Sequence, residues 1–344
     1  MRPVTGLRSP ALRVLAAPVA LVLAATLALT GCGLQTGSAY VANVQPASIK
    51  EIPALKGQPI VVGSKDFDEQ LVIGAIAVIA LKAAGAGVID RTNIKGSDSQ
   101  RRALLAGGVD LEWEYTGTGW LSYLQQAKPI QDSHQQWLAV KKADAKNGIT
   151  WLPPAPLDNT YAFAVTPENQ KKYNLHKISD IGRLIKENPQ AATFCVESEF
   201  AARPDGIPGV EKTYGFKVPN PSQNIQTMAT GLVYNRTDQG ACTFGEVFTT
   251  DGRIGGLGLK LLDDDRQFFP IYNAAIVVRT EVFQKYPQIA DLFAPISKAL
   301  TSEESLKLTT KVTVQGQDPT LTALQWMVDK GFVRSSDAKD GGQT

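Results

Sequence analysis

The sequence predicts an α/β protein of two lobes with a ligand cleft between them. Strand-like and helix-like apolar patterns alternate along the chain, about 290 residues follow a polar N-terminal stretch, and two proline-marked crossings divide those residues. Alternation implies layered helices and sheets, and the length exceeds what one core usually supports. Pro59 to Gly63 has a buried-strand pattern, and Asp66 with Glu69 is expected to cap the apolar run from Leu71 to Ala84 as a helix. Ser97 and Gln100 open a helix through Leu105, Val109 to Tyr115 reads as a strand, and helix resumes from Gly119. Pro153, Pro154 and Pro156 precede a strand Tyr161 to Val165, and the apolar stretch Phe268 to Val278 contains Pro270. Crossings at these points give a discontinuous first lobe, 58–157 plus 269–335, a second lobe, 158–268, and a C-terminal tail, 336–344. The cleft between such lobes is where ligands usually sit.

Ahead of the lobes, Arg2, Arg8 and Arg13 precede an uncharged run from Val14 to Leu29 that is too short and too abruptly ended for a membrane span. Residues 1–31 therefore read as a signal peptide. The run closes on Leu29, Thr30, Gly31 and Cys32, where small residues admit a peptidase and the thiol accepts a diacylglyceryl group; the pattern resembles that of bacterial lipoproteins. Cys32 is the expected lipid anchor, on the outer face of the cell membrane. Residues 32–57 mix Gly, Ser, Ala, Gln and Pro, as in a flexible tether.

Removal of the three arginines leaves 32 basic against 33 acidic residues. Without a basic block or stripe, a nucleic-acid partner is excluded. Cys195 and Cys242 are expected to form a disulfide in a chain that folds outside the cytoplasm. His134 and His176, in unrelated polar surroundings, give little material for a histidine metal site or a Ser/His/Asp triad, so neither metal, cofactor nor catalysis is expected.

Four loops carry the remaining chemistry. Lys65, in the loop Ser64 to Phe67, follows a strand and precedes a helix N-terminus, a position suited to an anion. The run Glu114 to Gly119 places Tyr115, Thr116 and Thr118 in a glycine-bearing loop at a strand end. Arg203 lies between the turns of Glu199 to Gly209, where its fork suits a carboxylate. Glu246 to Arg253 adds Phe248 at another strand end, with Glu246 two residues earlier on the same strand face.

With the strand bearing Tyr161 and the stretch Phe269 to Asn273, the segments GSKDFDEQ, EYTGTG, RPDGIPG and TTDGRI resemble, in order and approximate spacing over residues 58–335, the substrate-binding proteins of osmoprotectant ABC importers. These bind glycine betaine, choline or carnitine. The resemblance implies the two-lobed periplasmic-binding-protein fold of type II, a permease partner, and an aromatic cage for a quaternary ammonium head. Carried onto this chain, the cage comprises Tyr115, Tyr161, Phe248 and Tyr272, with the backbone carbonyl of Asn159 facing the cation. Lys65, Thr118 and Arg203 take the carboxylate. Phe248 departs from the family's usual tyrosine, keeping a ring face and losing a hydroxyl. The same cleft in a receptor for a neutral or aromatic solute is the alternative, and a cell-surface hydrolase is a more distant one.

Overall fold

The computed structural model describes residues 39–338. The signal-peptide residues, the proposed anchor Cys32 and the last six residues lie outside them. Among the described residues twelve strands run in chain order: β1 (Gln45–Pro46), β2 (Pro59–Lys65), β3 (Gly87–Ile94), β4 (Leu111–Tyr115), β5 (Ile149–Trp151), β6 (Tyr161–Val165), β7 (Phe194–Glu197), β8 (Ile225–Met228), β9 (Phe244–Phe248), β10 (Lys260–Leu261), β11 (Ala274–Arg279) and β12 (Val333–Arg334). Two sheets of five strands result, in the orders β3-β2-β4-β11-β5 and β8-β7-β9-β6-β10.

The two sheets repeat one plan that the sequence did not disclose. In the first, β3, β2 and β4 are parallel, while β11 is antiparallel to β4 and β5. In the second, β8, β7 and β9 are parallel, while β6 is antiparallel to β9 and β10. The parallel strands are joined through helices: Asp68–Ala83 between β2 and β3, Ser97–Leu105 between β3 and β4, and Thr230–Asp238 between β8 and β9. The carboxyl ends of three parallel strands in each sheet thus emerge on one edge, the usual place for a ligand in open α/β sheets.

The helix Asp68–Ala83 buries nearly every residue, which fits its apolar run LVIGAIAVIAL. It packs between the first sheet and the helices Ser302–Thr313 and Pro319–Asp329, so no polar face is needed. Trp113, on β4, sits in this core with its ring edge-on to Phe293. None of the described helices is long and apolar enough to cross a membrane.

Two expectations are corrected. The flexible tether of residues 32–57 is folded over much of its described part. There β1 pairs with β12, Gln45 opposite Arg334, and Val41, Ile49 and Leu55 are buried in the core. These scattered apolar residues have no periodicity because they fill separate gaps in other elements. The Asp66–Glu69 cap is also absent: Phe67 occupies the N-cap position without a side-chain bond, and Glu69 turns inward.

Candidate functional site

The strand ends of both sheets line one cavity of about 600 Å3. From the first sheet come Lys65 at the end of β2 and Phe67 after it, Ser97 after β3, and Tyr115 and Thr118 at the end of β4. The second sheet supplies Glu197 and Glu199 at β7, Met228 at β8, and Glu246 and Phe248 on β9. Tyr161 opens β6 and Tyr272 stands just before β11; both strands run antiparallel to their neighbours, so their amino ends reach the same edge. Asn159, Arg203 and Arg253 also line it, with Lys95, Asp66 and Asp68, and every expected cage and carboxylate residue is among the lining.

The rings form a contiguous wall. Tyr161 lies 5.1 Å from Phe248 and 5.3 Å from Tyr272 between centroids, the latter edge-on. Tyr161 and Phe248 are directly paired in register across β6 and β9, which fixes their approach. Phe67, which the sequence reading left without a role, stacks 4.9 Å from Phe248 and 6.2 Å from Tyr115, joining the two sheets' aromatics. Its signal was a large aromatic between Asp66 and Asp68 in an otherwise polar loop. Gly117 permits the close seating of Tyr272, since a Cβ there would lie 2.6 Å from the Tyr272 ring.

Arg203 is held as a fork. Its Nε and Nη2 donate to the two carboxylate oxygens of Asp205 at 2.8 and 2.6 Å, and Nη2 reaches Thr118 Oγ1 at 3.4 Å. Tyr272 Oη donates to the same Asp205 at 2.5 Å, so one carboxylate positions both an expected carboxylate partner and an expected cage ring. Burial alone would raise Asp205, but the charge and hydrogen bonds of Arg203, with Tyr272, hold it below the usual carboxylate range. The Arg203 guanidinium lies 5.7 Å from the Tyr161 ring centre.

Lys65 lines the cavity and is also ion-paired within the protein. Its Nζ is 2.6 Å from Glu114 Oε1, and both side chains are buried, so the ammonium charge already has a partner within the protein. The reason is that β2 runs two residues beyond Gly63, and Lys65 therefore emerges beside β4 instead of in an open loop. Its Nζ also stands 5.1 Å from the Tyr115 ring centre.

Glu69 is the second residue whose part the sequence concealed. Its Oε1 accepts from Tyr115 Oη at 2.6 Å and Asn159 Nδ2 at 2.7 Å, while Oε2 accepts from Thr250 Oγ1 at 2.6 Å and Ser305 Oγ at 2.5 Å. Burial pushes its carboxyl up, and these four bonds offset part of that rise. Asn159 is thus engaged through its side chain, and its backbone N–H donates to Tyr272 O at 3.2 Å. Across the cleft, Glu199 Oε1 accepts the Ser97 N–H at 2.5 Å, and Arg253 bridges Asp68 and Asp251 at 2.7 and 2.6 Å.

Cys195 and Cys242 are joined, with Cα atoms 5.6 Å apart, behind β7 and away from the cavity. His134 lies against Trp137 and His176 beside Asn174, both outside the cavity lining. Among the described residues no group of His, Cys, Asp and Glu is placed to hold a metal ion.

Two lobes whose strand ends enclose an aromatic and charge-lined cavity define a solute-binding protein. The family model for the substrate binding domain of ABC-type glycine betaine transport systems matches residues 58–329, and the chain belongs to that family. Its members are binding subunits of importers, working with a permease outside the cytoplasm, and are not enzymes. The chain is 33% identical over 286 residues to the glycine-betaine-binding protein of Pseudomonas aeruginosa, covering 82% of this chain and 91% of that one. It is 29% identical over 292 residues to the glycine betaine-binding protein YehZ of Escherichia coli, covering 82% and 94%. A crystal structure described as a glycine betaine/carnitine/choline ABC transporter superposes with a TM-score of 0.63 at 26% identity, over 79% of this chain and 99% of that one.

Proposed function

We propose that this chain captures a quaternary ammonium compatible solute, such as glycine betaine, carnitine or choline, and presents it to its importer. The observation that carries this reading is the convergence of Tyr115, Tyr161, Phe248 and Tyr272 from both sheets on one cavity that also contains Arg203. A trimethylammonium group has no N–H to donate, so hydrogen bonds cannot select it, whereas the negative faces of aromatic rings can. Each face contributes about 0.5–2 kcal/mol, the upper value applying when water is excluded. Phe67 adds a fifth ring. The absence of a hydroxyl on Phe248 costs no anchoring bond in this site, because its position is set by pairing with Tyr161 and by stacking on Phe67. A ligand carboxylate is placed against Lys65, Arg203 and Thr118, both basic side chains being already held by a carboxylate of the protein, Glu114 for Lys65 and Asp205 for Arg203.

The lobes of this reading are 58–157 plus 269–335 and 158–268, closing on the ligand at the edge where both sheets present their strand ends. The relatives in P. aeruginosa and E. coli named for glycine betaine binding support the ligand class. Cys32 anchors the protein to the membrane through lipid, so a Cys32→Ser chain is expected in the soluble extracytoplasmic fraction; its persistence in the membrane fraction would contradict that anchor. Titration calorimetry with glycine betaine, carnitine, choline and proline betaine tests the ligand class. Binding of at least one below about millimolar is expected. If none binds, the quaternary ammonium reading fails.

A further inference from the structure

Glu246 occupies a position where a buried strand would ordinarily carry an apolar residue, four of the five residues of β9 being buried. It stands two residues before Phe248 on β9, so both side chains leave the same face, and it is paired with Phe163 as Phe248 is paired with Tyr161. Its carboxyl is therefore one cross-strand step from the Tyr161–Phe248 wall. The side chain is buried and lines the cavity. Oε2 accepts the Glu197 N–H at 3.0 Å, but Oε1 has no hydrogen-bond partner among the described residues. Leaving a buried carboxyl oxygen unpartnered is unfavourable, and a strand has no structural need for one here.

We propose that Glu246 is an ionisable wall of the binding site, which meets the cationic head of the ligand and releases its proton to solvent as that head enters. The inference rests on the quaternary ammonium reading above and adds a residue and a proton to it. The step is a simple dissociation: the carboxyl O–H bond breaks, the electron pair stays on oxygen, and the proton passes to water and buffer.

The surrounding groups support this direction. Glu197 on β7, Glu199 and Arg203 beyond it, Tyr161 on β6 and Tyr234 on the helix Thr230–Asp238 are the titratable and charged groups around Glu246. Burial pushes its carboxyl up to about 8; the Glu197 N–H opposes the rise, the Glu197 charge adds to it, and Arg203 opposes it. Tyr161 and Tyr234 are held protonated, chiefly by burial, and bring no charge. A ligand cation against the Tyr161 ring adds a positive charge beside the acid and favours its ionised form. The free protein then holds more protons than the complex, so raising the pH favours binding, and affinity rises up to about pH 8 and levels above it.

The test is titration calorimetry of the full chain with choline and glycine betaine, neither of which titrates near neutrality, in phosphate and in Tris at pH 7. The two buffers differ widely in ionisation enthalpy. The expected result is an apparent binding enthalpy that differs between buffers by the amount for release of about half to one proton per ligand. Affinity should rise several-fold between about pH 6.5 and 8, bounded by about tenfold per pH unit. Glu246→Gln, which keeps the shape and cannot ionise, should bind with neither buffer nor pH dependence, and when empty it should melt no lower than the parent at pH 7, since a carboxyl pushed up on folding costs stability above its unfolded range. Equal enthalpies in the two buffers, proton uptake, or proton release that survives Glu246→Gln would each overturn the proposal while leaving the cage intact. Failure of every quaternary ammonium to bind would instead overturn the cage reading itself.

Discussion

Replacing Arg203 with alanine is expected to weaken glycine betaine binding by about 2–5 kcal/mol, from about thirty-fold to several thousand-fold. Choline, which has no carboxylate, should lose about tenfold or less. The contrast follows from the fork geometry. Arg203 is fixed by two hydrogen bonds to Asp205 and lines the cavity beside Thr118, with Nη1 3.7 Å from Glu199 Oε2. Removing it deletes the cationic end of the site and strands Asp205 with only the Tyr272 hydroxyl. Because that stranded charge also costs stability, calorimetry should include the Arg203→Ala, Asp205→Asn pair, in which the buried Asp205 charge is removed as well and only the more exposed Glu199 loses its Arg203 contact at 3.7 Å. Equal losses for both ligands would show that Arg203 supports the fold of the pocket and does not read the carboxylate.

The largest stability effect is expected at Glu69. Glu69→Ala leaves the Tyr115 and Thr250 hydroxyls, the Ser305 hydroxyl and the Asn159 amide without their shared acceptor, all in buried surroundings. Each orphaned donor costs about 1–3 kcal/mol, and the effects overlap, so a total near 4 kcal/mol is the expectation. A fall in the urea midpoint with an unchanged slope is the corresponding readout. Glu69→Gln keeps one acceptor oxygen and should cost less. A loss under about 1 kcal/mol for the alanine variant would mean that the four donors find other partners.

Which parts of this organisation could be seen in the sequence follows from how local their causes are. The strand Tyr161–Val165 and the helix Ser97–Leu105 have the expected limits, because their apolar spacing and end residues are set within a few positions. The cage aromatics are legible through the resemblance to osmoprotectant-binding proteins, while the strand pattern itself places Tyr115 and Phe248 at strand ends. Glu69 was misread because an acid at the start of a helix has the appearance of a cap. Its inward position depends on Thr250 and Ser305, 181 and 236 residues away. The folded segment after residue 39 was hidden for the same reason, since its pairing partner β12 lies near the other end of the chain. Lys65 looked free because its neutralising partner, Glu114, belongs to the neighbouring strand. The matching plan of the two sheets left no trace because topology can recur without recurrence of residues.

In the proposed quaternary ammonium site, the charge of the head group, and not merely its shape, is what the rings recognise. The most direct test compares glycine betaine with 3,3-dimethylbutanoate, in which the quaternary nitrogen is replaced by carbon and the carboxylate is retained. With three or four faces contributing about 0.5–2 kcal/mol each, calorimetry should find the carbon isostere bound about a hundred-fold more weakly or worse. Equal affinity for the two would contradict recognition of the cation by Tyr115, Tyr161, Phe248 and Tyr272, and would make the site an apolar pocket with an arginine at one end.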